Sequence, residues 1–348
     1  MLYQHSKVMD ITTLIKHEQT NCSTSCVNLD KYKKLKEEHL VQIKKHPALP
    51  LTLLNYTAKT QMKKKWCTEL LQARGLVVND DGVIVARPIS KFFNDYELQG
   101  SFPTGLFEVY EKLDGSLIIM SFFNGEPFFC TRGSFTSEQS LKAKEIYDKK
   151  YTENVVDQEY TYCFEIIYPQ NKIIVNYGDQ EDMFLLAKIH TRTGKEALIT
   201  GTGFKCVELH RFTSLTELKQ MDEFNKEGFV VKFLEFNFRM KIKFQTYISL
   251  HKMKGNLSRK QIIELIKSES VPNIPDESFG DLNNHIKQLE LEYKEKDDQL
   301  VEELNAIVEN AQNEKELISM IKISPHVSIL FNMYRNKQYK HLVWNLMK

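Results

Sequence analysis

Alternation of apolar and polar positions runs through most of this chain and predicts strands rather than helices up to about residue 254. Leu51 to Tyr56 is a short apolar run after Pro47 and Pro50. Gly75 to Val78 and Val83 to Ala86 flank Asn79-Asp80-Asp81-Gly82, a hairpin signal, and Leu117 to Phe123 and Phe128 to Arg132 flank Asn124-Gly125, a second one. Further strands are expected at Leu106 to Tyr110, Tyr160 to Ile167, Ile173 to Tyr177, Met183 to Ile189, Glu227 to Phe233 and Phe238 to Phe244. Helical spacing is expected over Leu29 to Lys45, and again from Thr136, where Thr136 and Gln139 have capping-box spacing. Beyond Gly255 the alternation stops. Leu282, Ile286, Leu289, Tyr293, Leu300, Leu304 and Ile307 then recur at helical spacing, and Val327 to Leu346 reads as a closing helix.

The fold class that follows is α+β. A domain over residues 1–254 is built on antiparallel sheets with flanking helices, and an all-α domain over 255–348 follows it. At 348 residues, 42% apolar, the chain is long enough for two cores. A formal net charge of +1 excludes adhesion to nucleic acid through bulk charge and leaves room for a local basic groove. The basic surplus lies before Gly255 and the acidic surplus after it. Lys63-Lys64-Lys65-Trp66 is read first as a helix end, with a nucleic-acid contact as the alternative. Six cysteines without a CxxC pair point to reduced, intracellular thiols, and Cys22 and Cys26 lack a second ligand pair, so no structural zinc is expected. No segment has the length and apolarity of a membrane span or of a cleavable leader, and a monomer in the cytoplasm is expected.

Four polar features interrupt the strand pattern. Lys112 stands between an apolar run and Asp114-Gly115-Ser116, a setting that an ordinary Asp-Gly hairpin turn would also produce. Glu165 lies inside Tyr162-Cys163-Phe164-Glu165-Ile166-Ile167. A carboxylate there needs a cation, a metal or a ligand, because burying it unpaired costs several kcal/mol or more, as an order of magnitude. Glu227-Gly228 opens one strand, and in the next Arg239, Lys241 and Lys243 share a face opposite Met240, Ile242 and Phe244. Alternate residues on a strand are roughly 6.5 to 7 Å apart, which suits neighbouring phosphates of one polyphosphate. A wet basic strand face is the simpler explanation of that strand alone.

Taken in order, these features resemble the covalent nucleotidyltransferases, most closely the phage-type RNA ligase 1 family of ATP-dependent RNA ligases. Lys112 with Asp114, Gly115 and Ser116 is similar to the KxDGS motif whose lysine becomes adenylated. Glu165 resembles the glutamate of the third motif, Glu227-Gly228 the fourth, and Lys241 with Lys243 the fifth. Arg74-Gly75 and Arg87-Pro88-Ile89-Ser90-Lys91-Phe92-Phe93-Asn94 resemble that family's upstream signature, and Arg132 stands where a lysine is familiar. The resemblance covers about Tyr56 to Lys252.

It implies an N-terminal adenylyltransferase domain and a helical C-terminal domain in place of an OB domain. It implies ATP as substrate and Mg2+ (or Mn2+) as cofactor, with Lys112 as nucleophile and Lys241 and Lys243 neutralising phosphoryl charge. Arg74 and Lys91 are implied to hold the β and γ phosphates, and Phe93 to line the adenosine site or to serve as core. Asp114, Gly115, Arg132 and Gly228 are implied at the ATP site. Glu165 and Glu227, and Tyr247 through water, are implied to hold the metal. The implied partner is RNA with 5′-phosphate and 3′-hydroxyl ends, with tRNA repair as an extension and a virus- or phage-encoded enzyme in host cytoplasm as one setting. A DNA ligase, a capping enzyme, an inactive nucleotide- or RNA-binding module and a protein-interaction role for the helical tail are the competing classes. A nucleophilic lysine must lose its proton, so a depressed Lys112 pKa is expected.

Overall fold

The computed structural model describes residues 9–21, 24–254, 258–267 and 276–347. The chain divides into two compact units, 1–247 and 248–348, and the helix Gln245–Lys254 contains the division. The expected boundary falls beside Gly255, which lies outside the described residues, as does Cys22.

The first unit is α+β, with three mainly antiparallel sheets and a two-stranded parallel one, Met9–Asp10 with Leu98–Gln99. The first orders Val41–Lys45, Leu51–Tyr56, Arg74–Asn79 and Ile84–Ala86. The strand Leu51–Tyr56 is buried along its whole length because each face meets a different core. Leu54 and Tyr56 pack with Tyr32, Leu40 and Leu70, whereas Leu51 and Leu53 pack with Ile119, Phe128 and Cys130 of the neighbouring sheet. A run with no polar face is what such two-sided burial demands.

The second sheet orders Glu126–Thr131, Ser116–Phe123, Tyr160–Ile167, Asp182–His190 and Glu196–Ala197, with Lys205–Cys206 added in parallel to Asp182–His190. Its outer face, including Ile118, Met120, Tyr162, Phe164 and Leu185, is covered by Ala143, Ile146 and Tyr147 of the helix Glu138–Lys150. The third sheet orders Leu209–His210, Phe107–Glu111, Gly228–Phe233, Phe238–Lys243 and Phe93–Asn94.

Several local expectations are corrected. Leu29 to Lys45 is not one helix. The helix Leu29–Glu37, capped by Asn28, ends where His39 takes a positive φ of 59°, and Val41–Lys45 pairs as a strand with Leu51–Tyr56. The amides of Leu40 and His39 donate to the carbonyls of Leu35 and Lys36, a closing pattern that stops a helix, and Val41 and Ile43 then alternate with polar residues as a strand requires. The helix expected from Thr136 starts one residue later, on the Ser137 hydroxyl, which accepts from the Ser140 amide. Residues 173–177 are irregular rather than a strand, because the amides of Ile174 and Val175 donate to a side chain, Asp114, instead of to a neighbouring strand.

The second unit is helical. The helix Asp276–Asn310 carries Leu300 into a core with Ile321, Leu330 and Val343, and Ile286 and Leu289 into a smaller one with Ile262 and Ile263. The side chain of Leu282 lies outside the described residues. Val327 to Leu346 is not a single closing helix. It breaks into Val327–Tyr334, Lys340–Val343 and a 3₁₀ turn Trp344–Leu346, with Asn336 at a positive φ of 51° and Trp344 stacked on Tyr293 at 4.3 Å. Among the described residues no helix is long and apolar enough to cross a membrane.

Candidate active site

Lys112 stands where the chain leaves one sheet for another. Phe107–Glu111 pairs with Gly228–Phe233 in the third sheet, whereas Ser116–Phe123 pairs with Tyr160–Ile167 and Glu126–Thr131 in the second. The expected Asp-Gly hairpin turn is therefore corrected: these two strands are not partners, and Gly115 does not take the left-handed conformation that such a turn requires. By contrast, Asn124 and Gly125 have φ of 55° and 85° and close a true hairpin. Gly115 is needed for space. A Cβ there would sit 2.3 Å from the carbonyl oxygen of Ile166 and 3.1 Å from Cγ of Glu165. That close approach lets the Gly115 amide donate to Glu165 Oε1 at 3.2 Å.

The crossover brings together side chains far apart in sequence. Glu227, buried, accepts from Lys112 Nζ on Oε2 at 2.6 Å and from Lys243 Nζ on Oε1 at 2.7 Å. The Lys112 amide donates to the carbonyl of Gly228 at 2.9 Å. Gly228 itself has φ +138°, and a Cβ on it would meet the Ile242 carbonyl oxygen at 2.1 Å, so the two strands can approach only through glycine. In this sheet Tyr110, Val230 and Lys241 are cross-strand neighbours, as are Gly228 and Lys243. Lys241 and Lys243 of that strand thus gather with Lys112 around Glu227 and the cavity instead of facing open water.

Beside this junction lies a cavity of about 440 Å³, lined among others by Arg74, Phe92, Lys112, Arg132, Glu165 and Lys241. Its electrostatics follow from crowding of cations around few acids. Burial pushes Glu165 up to about 7, against the pull of Lys112, and Glu227 adds to the rise. Burial also opposes the charged form of Glu227, but Lys112 and Lys243 outweigh it and hold that carboxyl below its ordinary range. Lys241 is driven well below the usual lysine value by burial and then by Lys91, Lys112, Arg74 and Lys243. Lys112 itself departs from expectation. Burial alone lowers it, yet Glu227, Glu165 and Asp114 together hold it above the ordinary lysine value, so in this arrangement it is an ion-paired ammonium.

The remaining expected residues divide in two groups. Arg74 lines the cavity, donating to the Ile89 carbonyl at 3.1 Å and lying over the Phe92 ring at 5.4 Å. Arg132 lines it from the other side, donating to the Tyr56 hydroxyl at 2.7 Å. Lys91 and Phe93 do not line it. Lys91 is buried behind it, with Nζ 4.4 Å from the Phe93 ring centroid and its pKa lowered to about 8 chiefly by burial, and Phe93 is core; Phe92 is the aromatic at the cavity. Arg239, on the same face as Lys241 and Lys243, is taken up by Glu196, which also pairs with Lys232 at 3.0 Å.

Asp114 is a clamp rather than a wall of the cavity. Its Oδ2 accepts from the amides of Ile174 and Val175 at 2.7 and 2.9 Å, its Oδ1 from the Tyr247 hydroxyl at 2.6 Å, and its own amide donates to the Tyr177 hydroxyl at 2.8 Å. Tyr247, expected near a metal, holds Asp114 and places its ring 4.8 Å from Lys243 Nζ. Sequence reasoning missed Tyr177 and Asn171, which accepts from Ser116 Oγ at 3.2 Å and from Gln139 Nε2 at 3.4 Å. Neither stands in a pattern that marks it. Among the described residues, the group of acids and histidine whose ligand atoms converge within 4.8 Å is Glu111, Glu208 and His210, and it includes neither Glu165 nor Glu227.

Residues 72–247 match the RNA ligase family, and the chain belongs to that family. It is similar to a candidate bifunctional polynucleotide kinase/RNA ligase of Autographa californica nuclear polyhedrosis virus, at 28% identity over 63% of this chain and 36% of that one. It is also similar to a candidate RNA ligase of Thermovibrio ammonificans, at 29% identity over 58% of this chain and 54% of that one. The chain thus spans about half or less of the length of these relatives. Among solved structures, a candidate ATP-dependent DNA ligase from Aquifex aeolicus aligns with 16% identity and a TM-score of 0.48 over 89% of this chain and all of that one. A Naegleria gruberi RNA ligase with pyrophosphate aligns with 18% identity and a TM-score of 0.35 over 42% of this chain and 51% of that one.

Proposed function

We propose that this protein is an ATP-dependent RNA ligase that joins a 5′-phosphate to a 3′-hydroxyl through a lysyl-AMP and an RNA-adenylate. The observation that carries the reading is the convergence of Lys112, Glu165, Glu227, Lys241 and Lys243, from four separate segments, at one cavity edge. Lys112 Nζ attacks the α-phosphorus of ATP, the N–P bond forms, the bond to pyrophosphate breaks, and the amine proton leaves to solvent. The AMP then passes to the RNA 5′-phosphate, and a 3′-hydroxyl displaces it to form the new phosphodiester.

Glu227 governs the first step. While its carboxylate lies between Lys112 and Lys243, Lys112 stays protonated. Once Glu227 engages another partner, the largest pull holding Lys112 charged is removed, and burial, which favours the neutral amine, is opposed only by Glu165 and Asp114. Lys241, held low by burial and by the cations around it, is stabilised as the ammonium by an entering phosphate, which sets its positive charge where phosphoryl charge develops. Arg74 and Arg132 are the guanidinium groups in reach of a polyphosphate in the cavity.

Glu165 and Glu227 offer oxygen donors of the kind that suit Mg2+. The burial that makes Glu165 hard to ionise is relieved by a cation, so the pair fits a divalent ion held directly or through water. Such an ion supplies positive charge to the phosphate oxygens. The adenylyltransferase domain, residues 1–254 in this reading, is followed by a helical domain, and the protein acts as a monomer on RNA, tRNA included.

The test is incubation with α-labelled ATP and Mg2+, followed by ligation of 5′-phosphorylated linear RNA, nicked RNA and nicked DNA side by side. A lysine-AMP adduct that vanishes in Lys112→Ala, with RNA sealed in preference to DNA, is expected. An adduct that survives in Lys112→Ala overturns the assignment.

A further inference from the structure

Three lysines left aside by the chemistry above lie at the end of a line of contacts that begins in the cavity. Arg132, which lines the cavity, lies over the Tyr56 ring at 4.9 Å. Tyr56 meets Trp66 edge-on at 5.0 Å, and Trp66 meets Phe93 at 5.3 Å, with Lys91 Nζ 5.6 Å from its ring centroid. Immediately before Trp66 come Lys63, Lys64 and Lys65 at the end of the short helix Ala58–Lys63. Lys64 closes that helix in the left-handed conformation, φ 50°, while the amides of Lys64 and Lys65 donate to the carbonyls of Gln61 and Thr60 at 3.3 Å each. The helix thus ends at the lysines, as expected, and the turn fixes their backbone.

Among the described residues no acid neutralises these three consecutive lysines, a state they share with Lys34, Lys36 and Lys44, but only they adjoin an aromatic ring that contacts the cavity-lining cluster. Lys31, Lys33 and Lys45 of the same sheet and its helix are paired with Glu69, Asp30 and Asp80, and Lys59 donates to the Glu38 carbonyl. Among the described residues, Lys63, Lys64 and Lys65 have no carboxylate partner. Beside them Met62 is 82% exposed, an apolar surface next to bare cations. Cations for the backbone, with an aromatic and a thioether for bases, are the combination that holds single-stranded nucleic acid without reading its sequence.

Resting on the ligase reading, we propose that Lys63, Lys65, Met62 and Trp66 form a track for single-stranded RNA, carrying the strand whose 5′-phosphate enters the cavity past Arg132. The occupant is a polyanion with bases because the three lysines have no acid partner, Met62 and the half-buried Trp66 lie beside them, and Trp66 packs through buried Tyr56 on Arg132 at the cationic cavity. It holds the nucleotides just inside the joined end and sets affinity for RNA, not for ATP.

The experiment uses the full chain with Trp344→Phe, so that Trp66 is the sole tryptophan. Titration with a 5′-phosphorylated single-stranded RNA is expected to quench Trp66 fluorescence. In Lys63→Ala/Lys65→Ala, KM for RNA in joining is expected to rise while lysyl-AMP formation from ATP proceeds. With a salt slope of about 0.7 per phosphate contact on single strands, losing two contacts removes about 1.4 from that slope, so affinity for RNA falls about sevenfold less than in wild type between about 50 and 200 mM salt. Lys144→Ala, on an exposed helix elsewhere, serves as the control for lost charge. An unchanged salt slope, an equal loss in the control, a parallel loss of lysyl-AMP formation, or competition by polyglutamate as strong as by RNA each overturns the track. Absence of lysyl-AMP in the unmutated protein instead refutes the ligase reading itself.

Discussion

Replacing Glu227 with Gln removes one negative charge from between two ammonium groups while keeping the shape of the side chain. At an effective dielectric of about 20, unit charges at the observed 2.6 Å attract by about 6 kcal/mol before desolvation. Measured losses on breaking a buried pair are about 3–5 kcal/mol, and the partial access of Lys112 and Lys243 to water puts this one near the lower end. Losing that partner weakens the hold of Lys112 on its proton. The assay is NMR of ¹³C-methylated lysines across pH, with Lys112→Arg used to assign the resonance. Lys112 is expected to titrate lower in Glu227→Gln than in wild type; a value equal or higher refutes the view that Glu227 keeps it protonated. The same pair sets a stability window. Glu227, held low, contributes above its unfolded value of about 4.3 and loses that contribution as pH falls through its folded value; Lys112, held high, contributes below about 10.4 and loses it as pH rises through its own. The full contribution therefore spans about pH 4.3 to 10.4 and is absent from Glu227→Gln.

Two further outcomes are expected. Glu165, pushed up to about 7 mainly by burial, binds a proton more tightly folded than unfolded, so stability falls as pH rises from about 4.3 to 7, by about 3 kcal/mol. Urea unfolding across that range is expected to show a smaller fall in Glu165→Gln; Glu18, also raised to about 7, is common to both proteins and cancels, and identical slopes refute the assignment. Glu196→Ala strips the carboxylate from Arg239 and Lys232 and is expected to destabilise by about 3–5 kcal/mol, with partial recovery on adding Arg239→Met; a loss below about 1 kcal/mol shows that the pairing adds nothing.

Residue types and spacing made Lys112, Glu165, Glu227 and the Lys241–Lys243 face readable as candidates, because alternation fixes which side chains share a face. Alternation does not say which strand is the neighbour. Asp114-Gly115 and Asn124-Gly125 look alike in sequence, yet only the second closes a hairpin, and the first is a crossover whose glycine answers to crowding by Ile166 and Glu165. Phe92 and Phe93 are adjacent, and only the sheet pairing of Phe93–Asn94 with Phe238–Lys243 decides which one reaches the cavity. The irregular path over 173–177 was hidden because its partner, Asp114, lies about sixty residues away and is a side chain.

The crossover at Lys112 also bears on time. The amide of Lys112 is tied to Gly228, that of Asp114 to Tyr177 and that of Gly115 to Glu165, so the backbone at Lys112 is pinned at three of four consecutive residues. Travel of the ammonium from Glu227 toward a ligand is therefore left to the torsions of its own side chain. Exposed side chains change rotamer in picoseconds to nanoseconds, whereas Lys112 is mostly enclosed and paired with Glu227, so the breaking of that pair sets its pace. Movement of the ammonium thus requires the Glu227 pair to break and no strand to shift.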